Sequence, residues 1–365
     1  MTKLASLLVP AVLLTVLFGC APQKEEKTLA IYNWADYFGE TTIEDFQKST
    51  GVQVQYDNFA SAEVLETKLL AGKTGYDLVF PSIPLAERAR KAGALASIDT
   101  SRLKNYANLD PQLLGQLARF NGGATLGVPY TWGTVGLGAN IDKIQARLPD
   151  APLNSLDLLF KPELAQKFAD CGISMLDSPQ EVFSVALNYL GLDPHSGRAE
   201  DIDKALALLM TIRPYVRYLD STRPIDDLAT GELCLSLIYS GDVGTAQLRA
   251  DDAKNGVNLR YSIPLQGTIL WMDLMSIPAD APHPEQAYAF IDYMLQPKVI
   301  AGVTNFLTYA NANSAATPLV AEEIRQNPDI YPPKDVRDRL FADVTLDEAN
   351  VRLRTRAWTK FKTGQ

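Results

Sequence analysis

The chain has 365 residues, with 34 Lys and Arg against 43 Asp and Glu and a formal charge of −9. At 47% hydrophobic and 21% charged residues it is too apolar to be disordered, and its length suits two lobes rather than one core. The acidic balance argues against a nucleic-acid partner, which needs clustered Lys and Arg, and is compatible with a cationic ligand.

Residues 1–20 read as an export signal. Lys3 supplies the positive charge, and Leu4 to Phe18 is almost wholly apolar, long enough for a secretory core and too short for a comfortable membrane span. The run ends Leu17-Phe18-Gly19-Cys20, resembling a lipoprotein signal in which Cys20 is acylated; Phe18 departs from the usual small or β-branched residue, and ordinary cleavage nearby is the alternative. The expected location is the periplasm, with a lipid anchor on Cys20 as the only membrane contact. Residues 21–28 form a polar tether, and the chain beyond residue 20 keeps 33 basic against 43 acidic residues. Cys171 and Cys234 remain as an even pair in an exported chain, either bridged or present as two reduced, buried thiols. No metal-ligand spacing surrounds either one.

Short strand-like segments then alternate with helix-like ones. Leu29 to Asn33 is a predicted strand, Thr41-x-x-Glu44 a capping box opening a helix, and Val52 to Tyr56 an alternating strand. Ser61 caps a helix carrying Val64, Leu65 and Leu69, which Gly72 and Gly75 end; Asp77 to Phe80 is a short strand. Strands are expected at 171–176, 215–219, 233–239 and 257–263, and helices at 179–192, 201–212, 225–230 and 244–254. From Pro284 the chain reads as mostly helical and ends in a basic helix, Val351 to Lys362, taken as a solvated face. Glycines and aromatics gather at 127–138 (GVPYTWGTVGLG), the expected crossover between lobes. This alternation implies an α/β fold with largely parallel sheets.

No catalytic motif emerges. His195 and His283 both lie beside Pro in polar turns, and there is no Gly-x-Ser-x-Gly elbow, His-Glu-x-x-His or phosphate loop. A carboxylate-pair hydrolase is the enzymatic alternative, since carboxylates distant in sequence meet in folds. What the sequence does show is aromatic and acidic residues placed together at predicted strand ends: Trp34-Ala35-Asp36-Tyr37, Ser82, Asp177 with Glu181, Tyr239-Ser240-Gly241-Asp242, and Trp271-Met272-Asp273. Ligands of open α/β sheets sit beyond those ends. Carboxylates offset the dehydration of an ammonium group, while aromatic faces accept cations and pack against methylenes.

At these residues the chain resembles the polyamine-binding proteins of bacterial ABC importers, those for putrescine and spermidine. The resemblance runs from about Thr28 to the C-terminus through IYNWADY (31–37), EVLETKLLAGKTGYDLVFPS (63–82), CGISMLDSPQEVF (171–183), YSGD (239–242), YANANSAATPLV (309–320), PDIYPP (328–333) and RTRAWTK (354–360). It implies a type II periplasmic-binding-protein fold, two α/β lobes joined by hinge strands, with residues 29–131 and about 256–306 in lobe 1, and 132–255 and about 307–365 in lobe 2. It implies a monomeric, non-catalytic binding protein without cofactor or metal that delivers a polyamine to an ABC permease; a binding protein or sensor for another cationic amine is the alternative. Carried over by position, Trp34, Tyr37, Tyr239, Trp271 and Tyr309 would form aromatic walls. Asp36, Glu181, Asp242 and Asp273 would pair with ammonium groups, Ser82 and Ser221 would take part in hydrogen bonds, and Cys171 would be bridged to Cys234. The chain departs from the family pattern at Ala35, where a Ser is usual, at Trp271, which replaces a Phe, and at Pro224 after Arg223.

Overall fold

The computed structural model describes residues 27–364. The export signal, Cys20 and all but the end of the tether lie outside the described residues. The strands, in chain order, are β1 (Thr28–Trp34), β2 (Gln53–Phe59), β3 (Leu78–Val79), β4 (Val128–Asn140), β5 (Ile173–Met175), β6 (Val216–Leu219), β7 (Leu235–Tyr239), β8 (Leu259–Ser262), β9 (Ile269–Met275), β10 (Ala310–Asn311) and β11 (Phe341–Ala342).

β1 lies between β2 and β3, parallel to both, as the strand–helix alternation requires. Leu29 and Ile31 on β1 are fully buried, and Phe46 of the Thr42–Thr50 helix packs edge-on against Phe290 of the Pro284–Met294 helix. A second sheet has the order β11-β9-β4-β7-β5-β6, with β5 parallel to both β6 and β7.

β4 carries the architecture. Its 13 residues are all buried, and the two ends serve different halves of the molecule. Val128–Thr134 pairs antiparallel with β9, while Val135–Asn140 pairs with β7 and β8. β9 in turn reaches the first sheet through bridges from Ser276 to Val79 and from Asp273 to Ser82. The glycine- and aromatic-rich segment is thus one continuous strand that pairs with β9 at its start and with β7 and β8 at its end. β8 pairs with Leu137–Asn140, so the chain after residue 256 remains beside the second-lobe end of β4, its backbone groups satisfied there, and recrosses at β9.

Three local expectations are corrected. Thr41 precedes its helix but its side chain makes no cap: the hydroxyl donates to Asp45 Oδ2 at 2.7 Å instead of accepting from the backbone. The helix after β7 begins at Ser240 rather than Gly244, so Tyr239-Ser240-Gly241-Asp242 is a direct strand-to-helix junction. The C-terminal helix, Glu348–Thr363, is not simply a solvated basic face. Arg354 is 1% exposed, and its guanidinium donates to Asn350 Oδ1, Ser184 Oγ and the carbonyls of Gln180, Pro194 and Ser196. A buried guanidinium is tolerated because its donors are met. Lys362 meanwhile pairs with Asp177 at 2.6 Å.

Cys171 and Cys234 form a disulfide across 63 residues, tying the approach to β5 to the approach to β7. Closing that loop restricts the unfolded chain by about 4 kcal/mol in the loop-entropy account. Replacing both cysteines with Ala is expected to lower the melting temperature by about 5 °C, read by calorimetry against the oxidised chain. Adding reductant to the variant should then have no further effect.

Candidate functional site

Three carboxylates come from three different elements, and each accepts a hydrogen bond from a phenol. Asp242, in the first turn of the Ser240–Ala253 helix, accepts from Tyr309 at 2.7 Å. Asp273 on β9 accepts from Tyr37 at 2.7 Å. Glu181, in the first turn of the Pro179–Tyr189 helix, accepts from Tyr239 at 3.2 Å and from Ser178. No Lys or Arg lies within ion-pair distance of any of the three among the described residues.

Rings close the walls. Trp271 meets Tyr309 edge-on at 5.2 Å and Tyr239 at 5.9 Å, and Tyr37 meets Tyr309 at 6.0 Å. Tyr37, Trp271, Tyr309 and Asp273 are buried; Glu181, Tyr239 and Asp242 keep some accessible surface. Burial pushes Asp242 and Asp273 up to about 7. It raises Glu181 as well, and holds Tyr37, Tyr239 and Tyr309 far above the usual phenol range, so all three remain donors.

The local chain explains these placements. Register between β4 and β9 is irregular from Pro129 to Trp132, and here Tyr130 donates to the Tyr37 carbonyl at 2.6 Å while the Thr131 hydroxyl meets the Tyr37 phenol at 2.5 Å. Tyr309 follows Thr308, a β-branched residue at φ 57°, an unfavourable conformation held by its hydroxyl donating to the Gly241 carbonyl at 3.1 Å. Gly241 is needed beneath that ring: a Cβ there would lie 2.5 Å from Tyr309. Gly133 serves Trp271 likewise, since its Cβ would lie 2.7 Å from the indole.

The other expected residues take varied places. Trp34 donates from its indole to the Phe80 carbonyl at 3.0 Å and packs on Phe59, so its ring is anchored at the end of β1. Ser82 bridges to Asp273 ahead of the Ile83–Lys91 helix. Asp36 is exposed and pairs across the cleft mouth with Arg249 at 3.3 Å, which also holds Asp226 at 2.6 Å. The Ser221 hydroxyl accepts from the Asp177 backbone at 3.2 Å, joining two loops rather than facing the carboxylates. Asp177 itself accepts from Trp358 at 2.9 Å and pairs with Lys362. The sequence did not single out Tyr130, Thr131 or Arg249, because each contributes through a partner far along the chain, nor Ser178, whose partner Glu181 is only three residues on.

Two outcomes follow from this geometry. Asp242 and Asp273 hold protons in the folded chain at pH values where the unfolded chain has lost them, near pH 4. Folded-state values raised in this way destabilise the ligand-free fold progressively as pH rises from about 4 to about 7, and the loss is constant above that. The Asp242→Asn/Asp273→Asn variant should therefore gain in melting temperature relative to the parent chain over that interval; a difference flat with pH contradicts the assignment. Gly241→Ala should displace Tyr309 and weaken its hold on Asp242, visible as a changed near-ultraviolet circular dichroism signal with little loss of helix.

Residues 41–332 match the family described as bacterial extracellular solute-binding protein. The chain is 48% identical over 343 residues to the putrescine-binding periplasmic protein PotF of Escherichia coli strain K12, covering 93% of each chain. It is 44% identical over 348 residues to the putrescine-binding periplasmic protein SpuD of Pseudomonas aeruginosa strain UCBPP-PA14, covering 95% of each. Its fold superposes with a TM-score of 0.78 on the crystal structure of the spermidine/putrescine ABC transporter substrate-binding protein PotD of Streptococcus pneumoniae, at 26% identity, covering 93% of this chain and 99% of that one. With two α/β lobes joined through β4 and β9, the chain belongs to the bacterial extracellular solute-binding proteins.

Proposed function

We propose that the protein captures a short aliphatic polyamine, putrescine or spermidine, between its lobes and delivers it to an ABC permease. The observation that carries this reading is the set of cleft carboxylates Asp242, Asp273 and Glu181, each bound to a neutral phenol and none to a cation among the described residues. Enclosed carboxylates without a counter-charge are costly, and a protonated amine is the group that relieves them. Trp271, Tyr309, Tyr37 and Tyr239 supply faces for the methylenes and for the charge. The names of the similar proteins, putrescine- and spermidine/putrescine-binding, support the same ligand class.

In this reading Asp242 and Asp273 take the ammonium groups directly, and Glu181 answers a further amine. Trp34 and Ser82 form the rim on the β1 side, while Ser221 acts through Asp177 and its loop. Asp36 joins Arg249 at the mouth when the lobes meet. Lobe 1 comprises residues 28–131 with the segment from Met272 through the Pro297–Leu307 helix, and lobe 2 residues 132–271 with 308–364. Closure brings the two halves of the slot together, driven by the ligand's greater affinity for the closed form. The protein works without catalysis, as a monomer in the periplasm, and Cys20 anchors it to the membrane through a lipid.

The test is titration calorimetry with putrescine and spermidine. Asp242→Ala and Asp273→Ala are each expected to cost about 2–5 kcal/mol of binding, because an ammonium loses its buried partner. Unchanged affinity for both amines in both variants overturns the assignment, and binding of a different cationic amine alone transfers the site to that ligand.

A further inference from the structure

The C-terminal helix, Glu348–Thr363, contains the segment RTRAWTK (354–360), to which the binding reading gives no part. Arg354, Trp358 and Lys362 follow one another at four-residue intervals and so share one face of that helix. All three end on the stretch 177–184, which carries Glu181. Trp358 donates from its indole to Asp177 Oδ1 at 2.9 Å, and Lys362 pairs with Asp177 at 2.6 Å. Arg354 donates to the Gln180 carbonyl at 3.0 Å and to the Ser184 hydroxyl at 2.8 Å. Gln180 directly precedes Glu181, and Ser184 lies one turn further on.

Two observations say that these ties do more than pack one helix on another. The Pro179–Tyr189 helix begins without a side-chain cap, because Ser178 is turned to the Glu181 carboxylate, so its first turn depends on support from outside. And Arg354 is a costly choice for packing alone. Its guanidinium is buried, all five of its N–H groups meet neutral acceptors, and none of the ion pairs among the described residues includes it. An apolar side chain of similar volume would fill that space without the penalty of enclosing a charge. Burial brings Arg354 down to about 10, which leaves it charged at neutral pH. Burial raises Glu181, and the charge of Arg354 works against that rise. Next to this turn, the Asp177 amide donates to Ser221 Oγ at 3.2 Å, which ties the loop on its other side.

We propose that Arg354 is a positioning residue for ligand capture: with Trp358 and Lys362 it fixes the uncapped first turn of the Pro179–Tyr189 helix, so that Glu181 stands in place before an ammonium group arrives. This rests on the polyamine reading of the cleft. Arg354 touches no ligand in this role and acts through Glu181. Helix, turn and carboxylate all belong to lobe 2, so the arrangement does not depend on the lobes having met. Binding is then spared the cost of ordering the acceptor.

A double-mutant cycle read by titration calorimetry with putrescine and spermidine at pH 7.5 tests this. Arg354→Met, which keeps the stem and loses the donors, is expected to weaken whichever amine the parent chain binds at least about ten-fold, and Arg354→Lys, which keeps the charge without the fork, by less. In a Glu181→Ala chain no carboxylate is left to position, and the same substitutions should change affinity by less than about two-fold. Melting temperature is expected to fall alike in both backgrounds, so a purely structural role would weaken binding equally in both. If Arg354→Met does not fold, the Trp358→Phe/Lys362→Ala chain, which frees Asp177 and keeps the guanidinium, takes its place, with a loss of about three-fold that again vanishes in the Glu181→Ala background. Equal losses in the two backgrounds, or no loss in a parent chain that binds, overturn the positioning role and leave the polyamine reading standing. A parent chain that binds neither amine overturns that reading and this proposal with it.

Discussion

Negative charge enclosed without positive charge is the constraint on which the cleft depends. Asp242, Asp273 and Glu181 come from separate elements and are kept in place by phenols that donate hydrogen bonds but bring no charge. A phenol meets one lone pair and leaves the cost of burying the carboxylate's charge in place, so Asp242 and Asp273 hold their protons up to about pH 7. Among the described residues no Lys or Arg forms an ion pair with any of the three.

That constraint reaches into the scaffold. The phenols have to be rigid, and their supports are costly in themselves: Thr308 adopts an unfavourable backbone conformation, Gly241 forgoes a side chain so that Tyr309 can lie against the helix, and β4 breaks register with β9 where Tyr130 and Thr131 meet Tyr37. These are local departures from ideal geometry, gathered around the cleft, in a molecule whose crossover strand is otherwise regular and wholly buried.

Much of this was legible in the sequence. Alternation of strand and helix foretold the parallel first sheet and the parallel run of β5, β6 and β7, but not the mixed second sheet, in which β4, the glycine- and aromatic-rich run, is antiparallel to β7, β8, β9 and β10. Resemblance to the polyamine-binding family supplied the candidate positions. Pairing was not legible, because Tyr309 and Asp242 are 67 residues apart, Tyr37 and Asp273 are 236 apart, and only the closed fold makes them neighbours. Arg354 was hidden in a basic helix whose other Arg and Lys side chains are exposed, so charge pattern alone favoured solvent.

The route of β9 carries a consequence for how the molecule comes into being. The first lobe cannot complete its sheet until Ser276 meets Val79 and Pro278 meets Leu95, and its helical cover arrives later still with the Pro284–Met294 helix. A ribosome has therefore made about three quarters of the polypeptide before either half has its full set of neighbours, and such distant contacts form slowly.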